Sequence, residues 1–301
     1  MGETRERTPA RCAFLTLSER GDFVIDDELA VAPARQLGLE VEEIAWDDPG
    51  RNWDDYELVV VRSTWDYMER PAEFLEVLER IDASDARLEN SLELMRWNLD
   101  KGYLRELAAA GVPTIPTLWR DGLEPGGLAE LFDELGAEAL VVKQVVGAGA
   151  IGSWRVERGE LERLAPEIAA HYADRALMAQ PFVPSVLREG EFSIIYIDGE
   201  ASHALSKTPK PGDYRSQEEY GSELRSVEVE GVLRQAADEV LARLPETPLY
   251  ARVDFLRVEG DLALIELELV EPALYLRMDA GAPERFARAL ARRQGHVAEA
   301  P

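Results

Sequence analysis

A strand that carries two carboxylates lies near the C-terminus of this 301-residue chain. The segment LALIELELV alternates apolar and acidic residues, which is typical of a β-strand with one buried face. The alternation predicts Glu266 and Glu268 on one face, with Ile265, Leu267 and Leu269 on the other. Two carboxylates side by side on a strand are candidate ligands for a divalent cation.

The preceding segment, LYARVDFLRV, is predicted to pair with this strand and to add a third carboxylate. A three-residue turn at Glu259-Gly260-Asp261 predicts a register in which Val258 faces Leu262. Counting inward from that pair, Asp254 lies directly opposite Glu266. Directly opposed carboxylates repel each other, so this pair requires a bound cation or a protonated group.

The same register places Arg252 opposite Glu268. Hard oxygen ligands close to substrate phosphates suit Mg²⁺, so the hairpin is a candidate magnesium site. The alternative is a solvated sheet face in a very acidic protein, on which Arg252 simply pairs with Glu268.

The sparse lysines are a second group of candidates. Only four of the 33 basic residues are lysine, namely Lys101, Lys143, Lys207 and Lys210. A helix predicted over 98–110 places Lys101 among apolar neighbours, where an ammonium needs an anion or must extend to water. Lys143 lies within the predicted apolar strand 141–146, and phosphate contact is the functional interpretation of both lysines.

The loop that follows this strand contains a literal GxGxxG pattern at 147–152. A dinucleotide fingerprint requires a helix that begins at the third glycine, because the helix N-terminus holds the pyrophosphate. Here Ser153-Trp154-Arg155-Val156 predicts a strand instead. The favoured interpretation is a hairpin whose loop amides lie over phosphates. A flexible turn without function is the alternative.

A local basic patch interrupts the acidic sequence in a predicted loop. It consists of Lys207, Lys210 and the pair Tyr214-Arg215. Binding of phosphate or carboxylate is the functional interpretation. An ordinary surface loop is the alternative.

The N-terminal part of the chain predicts a βαβ unit. Its segment YELVVVRS is a continuous apolar run, as expected of a buried parallel strand. The strand ends in Ser63-Thr64-Trp65-Asp66-Tyr67, which we term the STWDY segment. Because ligands of open α/β sheets bind beyond the carboxyl ends of strands, this segment is a candidate substrate loop. A turn with a packed tryptophan is the alternative.

The order of elements predicts a mixed α/β and α+β fold. An N-terminal α/β domain would span residues 9–93, and a second domain would span 94–301. The second domain would divide into a small α+β unit at 112–183 and a strand-rich unit at 184–301.

Composition excludes several classes of protein. The net charge of −26 argues against general nucleic-acid binding, which needs a basic surface. A single cysteine leaves no disulfide framework and no thiolate zinc site. The charged N-terminus and the absence of a bilayer-length apolar run predict a cytoplasmic protein without a membrane partner. A homodimer is expected only from the general frequency of twofold assemblies.

Taken in chain order, these motifs resemble the ATP-grasp superfamily, and within it the bacterial glutathione synthetase-like branch. The resemblance runs from about residue 90 to the C-terminus, behind a βαβ pre-ATP-grasp domain. The segments VVVRSTWDY, MRWNLDKGYL, GVPTIPT and IELELVEPALYL are similar to the cycloserine-forming cyclo-ligases and their relatives. Two departures concern single positions. Family members usually carry Asn where Glu268 stands, although the cyclo-ligase branch has Glu, and the glutathione synthetases carry Arg at the position of Ser193.

The resemblance implies a role for each candidate residue. The residues that would bind ATP are Lys101, Lys143, Gly147, Gly149, Gly152, Ser153, Gln180, Pro181, Phe182, Val183, Glu191 and Lys207. Within this set, 180–183 would line the adenine pocket and Glu191 would hold the ribose. Two Mg²⁺ ions, or Mn²⁺ in their place, would be held by Asp254, Glu266 and Glu268. Arg215 and Arg252 would steady the transferred phosphoryl group. Substrate contacts are expected from Ser63, Thr64, Trp65 and Glu271.

The implied reaction is an ATP-dependent ligation between small molecules. A substrate carboxylate, expected to belong to an amino acid or a derivative, is phosphorylated to an acyl phosphate, which an amine then attacks. An intramolecular cyclo-ligase is the alternative within this class. A nicotinamide-dependent oxidoreductase is the alternative of another class, and it predicts a helix from Gly152 onward. A nucleotide-binding regulatory protein with an inactive site is the third.

Overall fold

A computed structural model describes residues 9–147, 152–229 and 231–295 of the chain. Four parallel strands near the N-terminus form the first sheet, in the order β2-β1-β3-β4. They are β1 (Ala10–Thr16), β2 (Leu39–Ala45), β3 (Leu58–Ser63) and β4 (Arg87–Glu89). The accompanying helices are α1 (Val31–Gln36) and α2 (Pro71–Asp82). Every residue of β3 is buried, which confirms the parallel central strand that its apolar run predicts.

Two short helices and a small antiparallel sheet come next along the chain. The helices are α3 (Leu92–Leu99) and α4 (Tyr103–Ala109). The strands are β5 (Leu118–Arg120), β6 (Ala139–Gln144), β7 (Trp154–Glu157) and β8 (Leu177–Pro181), in the order β5-β8-β6-β7. One face of this sheet is covered by α5 (Gly127–Leu135) and α6 (Leu161–His171).

A larger antiparallel sheet completes the described structure, in the order β11-β10-β9-β12-β13. Its strands are β9 (Glu191–Ile197), β10 (Glu200–Thr208), β11 (Glu223–Val227), β12 (Tyr250–Val258) and β13 (Asp261–Glu268). Two helices accompany it, α7 (Gly231–Leu241) and α8 (Ala282–Arg293). The first sheet and this sheet share one apolar core, in which Phe14, Ile195 and Phe286 are buried together.

The single helix predicted over 98–110 is wrong. Asp100 has an extended backbone, with φ −99° and ψ 117°, and it separates α3 from α4. It forms a β-bridge with Val146, and the backbone N–H of Lys101 donates to the carbonyl of Val145 at 3.0 Å. Pairing with the chain just beyond β6 therefore interrupts a segment that an amphipathic pattern predicts as continuous helix.

The turn between β12 and β13 also differs from its prediction. It has two residues, Glu259 and Gly260, both with positive φ, so that Val258 pairs with Asp261. Such turns match the twist of antiparallel strands. A β-bulge at Ile265 then adds one residue to β13, and beyond it Asp254 lies opposite Glu266. The register predicted for the carboxylates is thus confirmed, although the turn that led to it is wrong.

The bulge also changes which residues share a face of β13. Leu264, Leu267 and Leu269 pack in one core cluster, whereas Ile265 packs beside Ile115 in another. The predicted grouping of Ile265 with Leu267 and Leu269 is therefore wrong, because a bulge places two successive residues on the same side of the strand.

Strand β11 has no counterpart in the sequence prediction. It is a mostly exposed strand at the sheet edge and contains few apolar residues, so periodicity has little to detect. Within the described residues, none of the helices has the length and apolar character needed to cross a membrane.

Candidate active site

A cavity of about 280 Å³ is lined by residues of the small and the large antiparallel sheet and by the segment that follows β3. Most of the predicted site residues line it. They are Trp65, Lys101, Lys143, Gly147, Ser153, Gln180, Pro181, Phe182, Val183, Glu191, Lys207, Arg215, Arg252, Glu266, Glu268 and Glu271. Residues more than 200 positions apart in the chain therefore meet around one space, as expected of a ligand site.

Three carboxylates, of which Glu266 and Glu268 line this cavity and Asp254 lies buried beside them, form a cluster suited to a divalent cation. Asp254, Glu266 and Glu268 each offer an oxygen, and these oxygens lie within 4.8 Å of one another. Because Asp254 is almost fully buried, its charge requires compensation. An all-oxygen donor set is the kind that Mg²⁺ prefers, so the side chains present fit this ion.

Each of these carboxylates is paired with a cationic side chain. The Nε atom of Arg252 lies 3.0 Å from Oδ2 of Asp254, and the same guanidinium also pairs with Glu268. The Nζ atom of Lys101 lies 2.6 Å from Oε1 of Glu266. Arg252 thus pairs with two of the carboxylates. The Arg252–Glu268 pair, which the alternative of a simple sheet face predicts, forms within the carboxylate cluster.

The two glutamates differ in the direction of their pKa shifts. Burial raises the pKa of Glu268 to about 8, with a further contribution from the nearby carboxylates, although the charge of Arg252 acts to lower it. Burial would also raise the pKa of Glu266, but Lys101 and Lys143 lower it to about 2. Opposite shifts are expected when neighbouring carboxylates share one site without a bound cation.

Lys143 is the cavity lysine that lacks an anionic partner. Within the described residues, no carboxylate forms an ion pair with its Nζ atom, although the charges of Glu266, Glu191 and Asp254 act on it. Burial lowers the pKa of this lysine. A buried ammonium beside open space is suited to an anionic ligand group such as a phosphate.

Lys207 and Glu191 lie together at the base of the cavity. The Nζ atom of Lys207 is 2.5 Å from Oε1 of Glu191 and 3.7 Å from Oδ1 of Asp254. Ser216 donates its hydroxyl to the other oxygen of Glu191 at 2.6 Å. The ribose role of Glu191 stays a prediction, since a ligand hydroxyl would have to share a carboxylate that already has two donors.

The segment 180–183 forms an apolar wall at the other end of the cavity. Phe182 packs beneath the guanidinium of Arg155, whose carbon lies 4.2 Å from the ring centre. Gln180 donates from Nε2 to the hydroxyl of Thr117 at 2.9 Å. Ile115 and Ile265 line the same region. An apolar wall of this kind is suited to a nucleobase.

The glycine loop joins two antiparallel strands, β6 and β7, as the sequence predicts. Gly152 has φ +65°, a conformation that favours glycine, and β7 begins two residues later. The helix that the nicotinamide alternative requires after Gly152 is therefore absent from the described residues 152–157. Gly149 lies outside the described residues.

Tyr214 connects the basic loop to this hairpin. Its hydroxyl donates to the carbonyl of Ser153 at 3.0 Å. The neighbouring Arg215 pairs with Asp213 at 2.7 Å, and its guanidinium carbon lies 3.6 Å from the ring centre of Tyr220. The predicted phosphoryl contact of Arg215 stays a prediction.

The STWDY segment reaches the cavity through its tryptophan. Trp65 donates from Nε1 to the carbonyl of Glu271 at 2.9 Å, and Tyr67 donates its hydroxyl to Oε1 of Glu271, also at 2.9 Å. Two other predicted substrate residues do not line the cavity: the hydroxyl of Ser63 is 2.8 Å from that of Thr16, and Thr64 is fully buried.

Several lining residues escape the sequence analysis. They are Phe23, Val24, Met68, Gln144, Ser216 and Tyr275. Of these, Tyr275 has a positive φ of 47°, which is unusual for a bulky residue. No local sequence pattern marks such positions, because each reaches the cavity through tertiary packing.

Two family models match the chain. The model described as D-cycloserine synthetase DcsG, N-terminal domain, matches residues 12–90. The model described as prokaryotic glutathione synthetase, ATP-grasp domain, matches residues 127–273. The chain is 35% identical over 278 residues to the cycloserine biosynthesis protein DcsG of Streptomyces lavendulae, which covers 86% of this chain and 90% of that protein. It is 28% identical over 225 residues to a glutathione synthetase of Ralstonia nicotianae, covering 73% of this chain and 62% of that protein.

Solved structures show similarity to the same group of proteins. The crystal structure of D-cycloserine synthetase DcsG superimposes with a TM-score of 0.80 at 32% identity, over 94% of this chain and 99% of that one. A D-alanine–D-alanine ligase from Bacillus anthracis in complex with ATP superimposes with a TM-score of 0.63 at 16% identity, over 96% and 98%, which shows the fold alone. The expected fold, an α/β domain followed by an ATP-grasp domain, is confirmed. The chain belongs to the family of ATP-grasp ligases, enzymes that use ATP and a divalent metal ion to form carbon–nitrogen bonds and release ADP.

Proposed function

We propose that this protein phosphorylates the carboxylate of an amino acid or amino-acid derivative and couples the resulting acyl phosphate to an amine. A carboxylate oxygen of the substrate attacks the γ-phosphorus of ATP, and ADP leaves. The amine nitrogen then attacks the acyl carbon, phosphate leaves, and the nitrogen loses a proton. The observation that carries the proposal is that a cluster of three carboxylates meets a cavity lined, within the described residues, by three lysines and two arginines.

Three of these cationic side chains form two groups by position. Lys101 and Lys143 lie beside the glycine hairpin, where they would bind the phosphates of ATP. Arg252 lies among the metal-ligand candidates, where it would bind the phosphoryl group during transfer. Fixed cations of this kind lower the barrier because negative charge moves from one oxygen to another during phosphoryl transfer.

Asp254, Glu266 and Glu268 would hold two Mg²⁺ ions, with Mn²⁺ as a substitute. The bound metal would offset charge on the phosphates of ATP. The apolar wall at 180–183 would hold the adenine, and Glu191 with Lys207 would contact the ribose side of the nucleotide. The hairpin at 147–153 would keep water from the acyl phosphate.

A second candidate is intramolecular ring closure, in which one substrate supplies both the carboxylate and the amine. It is favoured by the similarity to DcsG, which covers 86% of this chain, and by the match of residues 12–90 to the DcsG N-terminal domain. Both reactions share the phosphorylation step, and they differ only in the origin of the nitrogen.

Hydroxylamine trapping tests the proposal and separates the two candidates. The protein would be incubated with Mg·ATP, hydroxylamine and amino acids supplied singly and in pairs, with hydroxamate and ADP measured together. Hydroxamate formed with ADP supports carboxylate phosphorylation, whereas AMP and pyrophosphate would contradict it. Product formed from a single amino-acid derivative without hydroxylamine supports ring closure, and a requirement for two substrates supports intermolecular ligation.

Two charge-reversal variants test whether Lys143 binds a phosphate of ATP. Lys143→Glu is expected to abolish hydroxamate formation, since it places a carboxylate where a phosphate would bind. Arg80→Glu makes the same charge reversal at an exposed residue of α2 that does not line the cavity, and it should retain activity. Retained activity in Lys143→Glu would overturn the assignment of this lysine.

A further inference from the structure

Glu271 differs from the other buried and half-buried carboxylates that line the cavity. Glu191, Glu266 and Glu268 each have a cationic partner. Within the described residues, no Lys or Arg forms an ion pair with the Glu271 carboxylate, although its residue is only 7% exposed. A buried carboxylate without a counterion is unfavourable, so a site of this kind gains stability when a cation binds to it.

The surroundings of Glu271 hold its carboxylate in one position. Tyr67, itself 3% exposed, donates its hydroxyl to Oε1, and Trp65 donates its indole N–H to the backbone carbonyl of the same residue. Both donors belong to the STWDY segment, more than 200 residues away in the chain. A glutamate whose side chain and backbone are both held by a distant segment is preorganised for recognition.

The neighbours of this carboxylate are mainly aromatic and apolar. Trp65, Met68, Ala273 and Tyr275 line the cavity beside it, and Phe23 packs edge-on against Trp65 with ring centres 5.1 Å apart. Aromatic faces attract organic cations, whereas they offer no ligand to a hard metal ion. Glu271 is also outside the metal-ligand cluster of Asp254, Glu266 and Glu268. The surroundings therefore favour an ammonium group over a further metal ion.

Glu271 lies close enough to the reaction centre for one small molecule to reach both. It lines the same cavity as Lys101, Glu266 and Arg252. In an amino acid, the ammonium and the carboxylate are attached to the same carbon atom. A substrate whose carboxylate lies in the phosphoryl-transfer site would therefore place its α-ammonium within a few ångströms of that site.

We propose that Glu271, anchored by Tyr67 and Trp65, binds the α-ammonium of the amino acid whose carboxylate is phosphorylated. This subsite rests on the proposed function, and it adds the reason why the substrate is an amino acid and not a simple carboxylic acid. Glu271 is a specificity residue in this reaction, and the amine that attacks the acyl phosphate is a different group.

The test compares amino acids with the matching acids that lack only the amino group. Alanine would be paired with propionate and serine with 3-hydroxypropionate, with both enantiomers of each amino acid, and larger O-substituted serines would extend the series. Hydroxamate formation with Mg·ATP would be measured for the wild type. The amino acid of the productive pair is expected to have a kcat/KM about 100-fold above that of its partner, because the partner leaves the buried carboxylate unpaired.

The variant Glu271→Gln preserves the size of the side chain and removes its charge. It should raise the KM of the amino acid by at least about tenfold and leave the KM of ATP nearly unchanged. The ratio of kcat/KM between an amino acid and the matching acid without the amino group should come close to one. Asp238→Asn is the matched control, because Asp238 also accepts a tyrosine hydroxyl, from Tyr196 at 2.5 Å, but does not line the cavity.

The outcomes separate this subsite from the proposed function. Hydroxamate from none of the acids would contradict carboxylate phosphorylation itself, and the subsite with it. Equal use of the amino and deaminated acids by the wild type would overturn the subsite alone, and so would an unchanged ratio in Glu271→Gln. If Glu271→Gln fails to fold, the wild-type comparison still decides.

Discussion

Lys101 pairs with Glu266 at 2.6 Å, Nζ to Oε1, across the boundary between the predicted phosphate site and the predicted metal site. The same ammonium donates to the carbonyl of Gly147 at the start of the glycine loop. Burial would lower the pKa of Lys101, but Glu266 raises it, so the lysine stays charged. Lys101 thus pairs with the carboxylate that we propose as a metal ligand.

We expect Lys101→Met to affect metal and nucleotide binding in opposite directions. Without nucleotide, Mn²⁺ should bind more tightly than to the wild type, because Glu266 no longer has a competing ammonium. With ATP, turnover should fall by roughly 100-fold, because a phosphate contact is lost. Mn²⁺ binding would be followed by electron paramagnetic resonance and turnover by ADP release. Arg80→Met, at an exposed residue of α2 that does not line the cavity, is the control, and unchanged Mn²⁺ affinity in Lys101→Met would contradict the competition.

We expect the double variant Glu266→Ala, Glu268→Ala to lose ADP release almost completely at any Mg²⁺ concentration. Two of the three oxygen ligands would be absent, so the charge of the triphosphate would no longer be offset. The fold should persist, because Asp254 retains its contacts with Arg252 and Lys207. Thermal unfolding would establish folding. Activity that recovers at high Mg²⁺ would show that these residues are dispensable as ligands.

We expect Tyr214→Phe to increase ATP hydrolysis that is not coupled to product. The variant loses the hydrogen bond to the carbonyl of Ser153, which ties the basic loop to the glycine hairpin. A less well-anchored hairpin admits more water to the acyl phosphate. The ratio of ADP to product should rise several-fold, which is the size of effect expected from the free energy of one hydrogen bond. Tyr196→Phe, which removes a hydroxyl far from the cavity, should leave this ratio unchanged, and an unchanged ratio in Tyr214→Phe would refute the anchoring role.

We expect the stability difference between Glu271→Gln and the wild type to depend on pH. Burial raises the pKa of Glu271 from its ordinary 4.5 to about 7. Folding therefore takes up a proton between these values, and the contribution of Glu271 to stability falls as the pH rises through this range. The variant should unfold at the same urea concentration as the wild type near pH 4.5. Above pH 7 it should be more stable, by up to about 3 kcal/mol. An equal difference at pH 5 and pH 8 would contradict the raised pKa.

The carboxylate hairpin shows how a sequence prediction can be right for a wrong reason. Counting inward from a three-residue turn predicts that Asp254 faces Glu266, and it does. The predicted turn is one residue too long, and the bulge at Ile265 restores the register. Neither feature has a distinctive sequence signature here, because the bulged residue is an isoleucine that a regular strand would also accept.

Lys101 shows the opposite case. Its importance follows from the rarity of lysine in the chain and from its apolar neighbours, yet the helix assigned to it is wrong. Local spacing predicts one continuous helix, and only pairing of Asp100 with Val146 divides it. Tertiary contacts overrode local propensity at the position where the side chain is needed.

The sequence by itself determined the order of the elements that carry the motifs, including the strand after the glycine loop. It also determined the positions of the sparse lysines and the alternation of carboxylates in β13. These follow from hydrophobic periodicity and residue type, which act over a few positions. Only the tertiary structure decided which of these residues share a cavity, that Lys101 pairs with Glu266, and that Trp65 and Tyr67 hold Glu271. Those contacts join positions up to 206 residues apart, and they depend on packing between sheets that no local pattern encodes.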